Sequence, residues 1–120
     1  MAEEEKGFME ESGTPVFFWA LKHDGPSYRV DSVVDALSDQ VYVTVDLDVF
    51  DPSIMAAVGT PEPGGMGWAD VTGLLRAVGA HRKIVGFDVT ELSPAEGPEA
   101  CAYTAAKLVY KMMGYATSSP

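Results

Sequence analysis

The spacing of apolar residues changes several times along the first half of the chain. The run "PVFFWAL" (15–21) is apolar and aromatic, which predicts a buried strand. Residues 24–26, Asp-Gly-Pro, then mark a turn. Apolar side chains at i, i+3, i+4 and i+7 predict a helix over 30–37, with Asp31 as its cap. The nearly continuous, β-branched run 41–47 predicts a strand covered on both faces, as in a parallel sheet.

The second half alternates between long loops and periodic segments. Prolines and glycines punctuate 51–67, and a loop of this length is usually functional. Helical spacing returns over 68–78, and "KIVGFDVTEL" (83–92) predicts another strand. Residues 99–113 form a helical pattern that is apolar nearly all round, so we expect this helix to be well covered. Gly114 stands where a C-terminal cap is expected.

This order of elements predicts the fold class. Strands that alternate with helices indicate an α/β fold, in which flanking helices cross over a parallel sheet. The 120 residues suffice for one domain and one core. A hydrophobic content of 47% with 22% charged residues is typical of a globular chain.

Net charge and cysteine content narrow the expected partners and the expected compartment. The formal net charge of −10 argues against a nucleic acid or an anionic membrane as partner. Residues 1–11 carry five Glu and one Lys, a pattern typical of a solvated helix end or tail. Cys101 has no second cysteine to pair with, which favours a reducing compartment. No apolar run approaches a membrane span, and the acidic start is unlike a signal peptide, so we predict a cytoplasmic protein.

Three aspartates follow the predicted strand 41–47. Asp46 and Asp48 are two residues apart, which on a strand places them on one face about 6–7 Å apart. Two carboxylates this close favour a divalent cation between them, and oxygen ligands suit Mg²⁺ or Mn²⁺. The alternative is that one caps a loop while the other faces solvent. Asp51 precedes a proline, so we expect its carboxylate to bond amides of the following loop.

Three segments occur in a recognisable order and spacing: "VTVDLDVFDPS" (43–53), "GTPEPGG" (59–65) and "GFDVTELSP" (86–94). Together they resemble the ureohydrolase family, which contains arginase and agmatinase, and the resemblance is strongest to agmatinase. It covers roughly 41–115. The resemblance implies a three-layer α/β/α sandwich around a parallel sheet. It also implies a site with two Mn²⁺ ions that hydrolyses a small guanidino compound such as agmatine to urea and an amine.

The same resemblance assigns roles to individual residues. Asp46 would bridge both metal ions, and Asp48 would ligate one of them. Glu91 would accept hydrogen bonds from the substrate guanidinium, a charge-assisted pair of matching geometry. Thr60 would support that glutamate. Asp88, within the strand that precedes Glu91, is expected to be structural, packing or bonding below the metal site.

The chain does not contain every motif of the family. The "GGDH" and "DAHxD" segments, which supply histidine ligands, have no counterpart in the sequence, and His23 and His81 are expected to be surface residues. We therefore expect residues 1–120 to correspond to a C-terminal segment of a ureohydrolase domain. We also expect weak metal binding and negligible urea release by this chain alone. Its expected partners are further copies of itself or the N-terminal part of such a domain.

Two other functional interpretations stay open. The chain could be a catalytically inactive remnant, or a structural subunit of a split ureohydrolase that retains the three acids by descent. A haloacid-dehalogenase-type phosphohydrolase also begins from an apolar strand that ends in D-x-D, with Mg²⁺ alongside. However, "GTPEPGG" has no place in that family.

Overall fold

Two parallel strands and the helices beside them form the centre of the protein. The structure is a computed structural model and describes residues 2–19, 21–22, 25–26 and 28–118. Short 3-10 turns lie at Leu47–Val49 and Pro94–Glu96. The helices are α1 (Glu3–Ser12), α2 (Val30–Asp35), α3 (Trp68–His81) and α4 (Glu99–Thr117), and the strands are β1 (Leu21–Lys22), β2 (Gly25–Pro26), β3 (Gln40–Asp46) and β4 (Lys83–Thr90).

The central sheet consists of β3 and β4. They pair in parallel, from Gln40 opposite Lys83 to Asp46 opposite Thr90, with one irregularity after Val41. The chain between them passes through α3, since parallel strands need a crossover connection. Both α3 and α4 contact β4. The predicted α/β fold with a parallel sheet and flanking helices is confirmed.

One face of this sheet packs against the core and the other is open. Val45 and Ile84 are buried, and Val43 and Phe87 pack against the same core. Tyr42, on the opposite face, is 61% exposed, as expected where alternate side chains point to opposite faces. The buried core draws on the helices and on the long loop after β3, with Val34, Leu47, Phe50, Met55, Ala57, Val58, Met66, Val71, Leu75, Val78, Cys101, Ala105, Leu108 and Met112 completing it.

The strand predicted over 15–21 is wrong for most of that range. Residues 13–19 have no regular structure, and Leu21–Lys22 pairs antiparallel with Gly25–Pro26 instead of joining the central sheet. A strand is stable only where a neighbour takes up its backbone groups, and in the described part of the chain residues 13–19 lie beside neither β3 nor β4 as a third strand. Asp24, in the predicted turn, lies outside the described residues.

Three expectations about helix ends and coverage are corrected. Arg29, not Asp31, is the N-cap of α2, because Asp31 lies inside the first turn and its carboxylate bonds the Arg29 guanidinium at 2.8 Å. The last helix runs through Gly114 to Thr117. Its coverage is one-sided, since Tyr103 is 77% and Tyr110 70% exposed. Only the stripe Cys101, Ala105, Leu108 and Met112 is buried.

The acidic N-terminal segment forms a solvated helix. None of the residues of α1 is buried, and Glu3, Glu4 and Glu5 lie in its first turn, where carboxylates favour the helix dipole. The predicted solvated helix end is confirmed. Among the described helices, none combines the length and apolarity needed to cross a membrane.

Candidate functional site

The candidate site begins where β3 ends. Asp46 is the last residue of β3 and the N-cap of the 3-10 turn that follows. Its side chain accepts a hydrogen bond of 3.1 Å from the backbone N–H of Asp48. This bond turns the chain sharply out of the strand. The two carboxylates therefore do not extend along one straight strand, as the sequence predicted, but lie at a strand end and in a capped turn.

Thr60 joins the site from the long loop after β3. Its hydroxyl donates to Asp48 Oδ2 at 3.1 Å, although twelve residues separate the two in sequence. The resemblance assigned Thr60 to the support of Glu91, and that role stays a prediction. The bond that the structure gives instead fixes the orientation of the Asp48 carboxylate, and it brings the "GTPEPGG" loop against the D-x-D segment.

Glu91 follows β4 and has an unusual backbone. Its φ of 75° lies in the left-handed region, and no other non-glycine residue in the described part of the chain has a positive φ. Such a conformation is disfavoured for residues with a Cβ and occurs mainly where the surrounding structure enforces it, often at functional sites. The sequence gives no sign of this strain, because glutamate is not a residue type that prefers left-handed backbone.

Asp46 has two acidic neighbours, Asp48 and Glu91, that act on its pKa. Partial burial raises the pKa of the Asp46 carboxyl, and the neighbouring Asp48 side chain and the charge of Glu91 raise this pKa further. The backbone N–H of Asp48 opposes the shift. The neighbouring carboxylates thus surround Asp46 with negative charge, which a cation would relieve. The predicted residues Asp46, Asp48 and Glu91 thus share one electrostatic site at the carboxyl ends of parallel strands.

The long loop is anchored at Gly64 from two sides. Its N–H donates to Asp51 Oδ1 at 2.8 Å, and its carbonyl accepts from the indole N–H of Trp19 at 2.9 Å. The other oxygen of Asp51 accepts from the backbone N–H and the hydroxyl of Ser53. The predicted role of Asp51, bonding amides of the following loop, is confirmed. Trp19 was not anticipated as a second anchor.

The two loops beside the site are also bound to each other. The N–H of Ser93, two residues after Glu91, donates to the carbonyl of Ala57 at 2.8 Å. Gly97 lies so close to Ala57 that a Cβ on the glycine would be 2.8 Å from the Ala57 backbone nitrogen. The loop that carries Glu91 therefore rests on the loop that carries Thr60.

The other residues discussed from the sequence lie away from this cluster or beneath it. Asp88 accepts hydrogen bonds from the hydroxyls of Tyr42 and Thr44, as expected of a structural residue that bonds its surroundings. His81 is exposed and bonds its own helix at the Ala77 carbonyl. His23 lies outside the described residues.

The oxygen atoms at the site are of the type that binds a hard divalent cation, but they are too few to hold one by themselves. Carboxylate and hydroxyl oxygens are the ligands that Mg²⁺ and Mn²⁺ prefer. Within 2–19, 21–22, 25–26 and 28–118, however, no group of three or more Asp, Glu, His or Cys side chains could by itself hold a metal ion. Asp46 and Asp48 could hold one only if further ligands came from elsewhere.

Comparisons with known proteins show the family to which the chain belongs. The sequence matches the arginase family over residues 1–114. It is 36% identical over 115 residues to an N(1)-aminopropylagmatine ureohydrolase of Synechocystis sp., covering 96% of this chain and 38% of that protein. It is 37% identical over 114 residues to an agmatinase of Pyrococcus horikoshii, covering 92% of this chain and again 38% of the relative.

Structural comparison gives the same result. The chain superimposes on the crystal structure of an arginase from Bacillus subtilis with a TM-score of 0.76 and 25% identity, over 93% of this chain and 40% of that one. The chain thus spans 38% of the length of both curated relatives named above. The family match, the sequence identity and the fold agree, and the chain belongs to the arginase family.

Proposed function

We propose that this chain supplies Asp46, Asp48 and Glu91 to a site that hydrolyses a guanidino compound, with agmatine as the best candidate, to urea and an amine. The observation that carries the proposal is the meeting of these three acids at the ends of β3 and β4. Ligands of α/β proteins bind in the crevice beyond the carboxyl ends of parallel strands. Two relatives named after activities on agmatine or its aminopropyl derivative support the substrate class.

Asp46 and Asp48 are the residues that would hold metal. We propose two Mn²⁺ ions in the complete site, which Asp46 and Asp48 would help to hold together with ligands from outside this chain. The chemistry that such a pair supplies is the activation of a water molecule for attack on the guanidinium carbon. The hydrogen bond from Thr60 holds the Asp48 carboxylate in one orientation, so that less rotamer freedom is lost when the cation binds.

Glu91 is suited to recognise the guanidinium group. A carboxylate and a planar guanidinium form two parallel charge-assisted hydrogen bonds, which fix both orientation and distance. The left-handed backbone of Glu91 and the bond from Ser93 to Ala57 hold this side chain beside the acids of β3. Glu91 would therefore orient the substrate carbon toward the metal-binding carboxylates.

The small number of ligands supports a second candidate function. A chain with two metal-binding carboxylates and no group of three ligands in its described part suits an inactive or structural subunit that completes a site with another chain. Under both candidates we propose association with further copies or with a chain that carries histidine ligands, in the cytoplasm. The two candidates differ in whether the three acids take part in hydrolysis.

A hybrid enzyme tests the proposal. The corresponding segment of the Synechocystis ureohydrolase is replaced by this chain, and urea release from agmatine and N(1)-aminopropylagmatine is measured with Mn²⁺. We expect the hybrid to release urea and the isolated chain to release almost none. In the hybrid, Glu91→Gln should lower kcat/KM by at least about 30-fold, the effect of truncating one partner of a charged pair. Asp35→Asn, on the exposed end of α2, is the matched control.

Two outcomes would contradict the proposal. If the hybrid folds and binds Mn²⁺ as its parent does but releases no urea, the acids of this chain do not support hydrolysis, and the structural-subunit function is favoured. If Asp46→Asn/Asp48→Asn leaves Mn²⁺ binding by the hybrid unchanged, the assignment of the metal ligands is wrong.

A further inference from the structure

Asp88 links the two central strands through its side chain. Its Oδ2 accepts a hydrogen bond of 3.0 Å from the Tyr42 hydroxyl and one of 3.2 Å from the Thr44 hydroxyl. Both donors lie on β3, whereas Asp88 lies on β4. Its other oxygen, Oδ1, is buried and accepts no hydrogen bond from the part of the chain that the structure describes. The three side chains form what we call the cross-strand cluster: Tyr42, Thr44 and Asp88.

The cross-strand cluster lies directly below the candidate site. Thr44 pairs with Asp88, and the next pair on the same face is Asp46 with Thr90. Asp46 therefore follows Thr44 by two residues, while Glu91 follows Asp88 by three. Both acids project from strand ends that the cluster joins. Any relative shift of β3 and β4 would change the distance between Asp46 and Glu91, and the two hydrogen bonds to Asp88 oppose that shift.

Stability alone does not account for a carboxylate at this position. A buried oxygen without a donor lowers stability, more so when the group is charged. An asparagine would keep an acceptor for the two hydroxyls and would remove the charge. The Asp88 carboxylate nevertheless affects Tyr42. The hydrogen bond to Asp88 and, to a lesser extent, burial and the Asp88 charge raise the pKa of the Tyr42 phenol. The charged bond between the strands is thus stronger than a neutral one.

We propose that Asp88 is a positioning residue, which locks β3 to β4 below the site and so holds Asp46 at a fixed distance from Glu91. This inference deepens the proposed function and rests on it for its purpose, because the distance between metal ligand and guanidinium carboxylate sets where the substrate carbon lies. Asp88 itself touches neither metal nor substrate in this proposal.

Amide hydrogen exchange on the full chain, followed by NMR, tests the lock. The amides at the site end of the sheet, 44–46 and 88–90, are compared with those at the far end, 40–41 and 83–85, which lie outside the cross-strand cluster. Asp88→Ala should speed exchange at the site end by about tenfold relative to the far end, the effect of losing about one net hydrogen bond. Asp88→Asn keeps an acceptor and the side-chain volume but loses the charge, so it should restore only part of the protection. Tyr42→Phe and Thr44→Val each remove one donor and should have smaller effects.

Matched controls separate positioning from general destabilisation. Asp35→Ala removes an exposed aspartate of α2 and should leave both ends of the sheet unchanged. Equal acceleration at both ends in Asp88→Ala would overturn the proposal, because Asp88 would then contribute only to global stability. Unchanged exchange in both Tyr42→Phe and Thr44→Val would also overturn it, because Asp88 would then act through its volume rather than through its two hydrogen bonds.

Line broadening by Mn²⁺ gives a second readout, which depends steeply on distance from the ion. In the wild-type chain the amides of Asp46, Asp48 and Glu91 should broaden at the same Mn²⁺ concentration. In Asp88→Ala, the two aspartates should still broaden while Glu91 broadens severalfold less. Equal broadening of Glu91 in both proteins would overturn the positioning role. If Asp46 and Asp48 do not broaden even in the wild type, the isolated chain does not hold Mn²⁺, the metal site is tested in the hybrid enzyme instead, and hydrogen exchange decides whether Asp88 locks the strands.

Discussion

Two acidic regions of this protein differ in almost every structural respect. The N-terminal helix α1 contains five glutamates, yet none of its residues is buried. The site at the ends of β3 and β4 contains three acids. Hydrogen bonds fix the loops beside them: Thr60 donates to Asp48, Gly64 to Asp51, and Ser93 to the Ala57 carbonyl. The helix α1 therefore carries more acidic residues, whereas the residues of the site are held in place by more hydrogen bonds.

This difference shows that the candidate site is distinguished by the hydrogen bonds that hold its side chains and loops in place, and not by its number of charges. Glutamates on an exposed helix are solvated, and solvent and salt screen their mutual repulsion. At the site, strand ends and loops hold Asp46 and Glu91 close enough for the charge of one to raise the pKa of the other. A cation would relieve the repulsion within this cluster, and the hydrogen-bonded loops around it separate a candidate metal site from a solvated tail.

A pair of glycine substitutions should show the largest contrast between the regions. A Cβ on Gly65 would be 2.6 Å from the Asp51 nitrogen and 2.8 Å from the Val49 oxygen, both backbone atoms that cannot move aside. Gly65→Ala should lower the free energy of unfolding by about 3 kcal/mol. Gly7 in α1 has nothing within 4 Å of its Cβ position. Gly7→Ala should increase helicity and leave the global midpoint unchanged.

Urea unfolding followed by fluorescence, together with far-UV circular dichroism, measures both effects. Because α1 buries no residue, its helix–coil equilibrium is expected to be independent of global unfolding. A Gly65→Ala protein as stable as the wild type would show that the loop is not constrained as described. A shift of the global midpoint in Gly7→Ala would show that α1 packs on the domain.

Substitution of glutamate by glycine should have opposite effects in the two regions. At Glu91, glycine relieves a left-handed backbone, which costs an L-residue about 1–2 kcal/mol, so Glu91→Gly should raise the free energy of unfolding by about 1 kcal/mol. The same variant should abolish guanidinium recognition in the hybrid enzyme. In α1, Glu10→Gly should only reduce helicity, because glycine is a poor helix former.

Thermal unfolding of the two variants checks this prediction. A less stable Glu91→Gly protein would mean that the left-handed backbone is not strained, or that the glutamate side chain contributes more to stability than its backbone costs. The expected result, greater stability with loss of recognition, would identify Glu91 as a residue whose conformation serves function rather than folding.

Local rules explain which parts of this structure could be predicted from sequence. Periodicity located β3, β4 and α3 closely, because each has a strong apolar pattern and matching end signals. The tether from Asp51 to its loop followed from the chemistry of an Asp-Pro turn. These features depend on residues that are near one another in sequence, and their physical causes are visible there.

Features that depend on distant pairings could not be predicted. The cross-strand cluster requires the register of β3 against β4, and the irregularity after Val41 shifts that register in a way no pattern reveals. The apolar helix α4 was expected to be well covered, yet Tyr103 and Tyr110 are exposed, since coverage depends on which elements pack around a helix rather than on its own sequence. The strand predicted over 15–21 failed for the same reason, because it has no pairing partner in the described sheet.

The smallest expected contrast is a pH dependence that Asp51 shows and α1 does not. The Ser53 hydroxyl and N–H and the Gly64 N–H hold the pKa of Asp51 below its ordinary value of 3.8. The folded protein therefore binds this proton less tightly than the unfolded chain. The resulting stability is fully present above pH 3.8 and is lost as the pH falls through the folded-state pKa. Asp51→Asn should lower the unfolding midpoint modestly at pH 7, and the difference from wild type should shrink toward pH 3.

Urea titrations between pH 7 and pH 3 measure this difference, with Glu10→Gln as the control. Asparagine places an NH₂ group where one of the two oxygens of Asp51 now accepts, so at least one amide or hydroxyl of the loop loses its partner. Glu10 lies on exposed α1, and no hydrogen bond to its carboxylate occurs in the described part of the chain. A destabilisation of Asp51→Asn that persists unchanged at pH 3 would mean that the shape of the side chain, rather than its charge, anchors the loop. A difference that vanishes at pH 3 would show that the ionised carboxylate stabilises the loop framing the site, a role that no glutamate of α1 is expected to share.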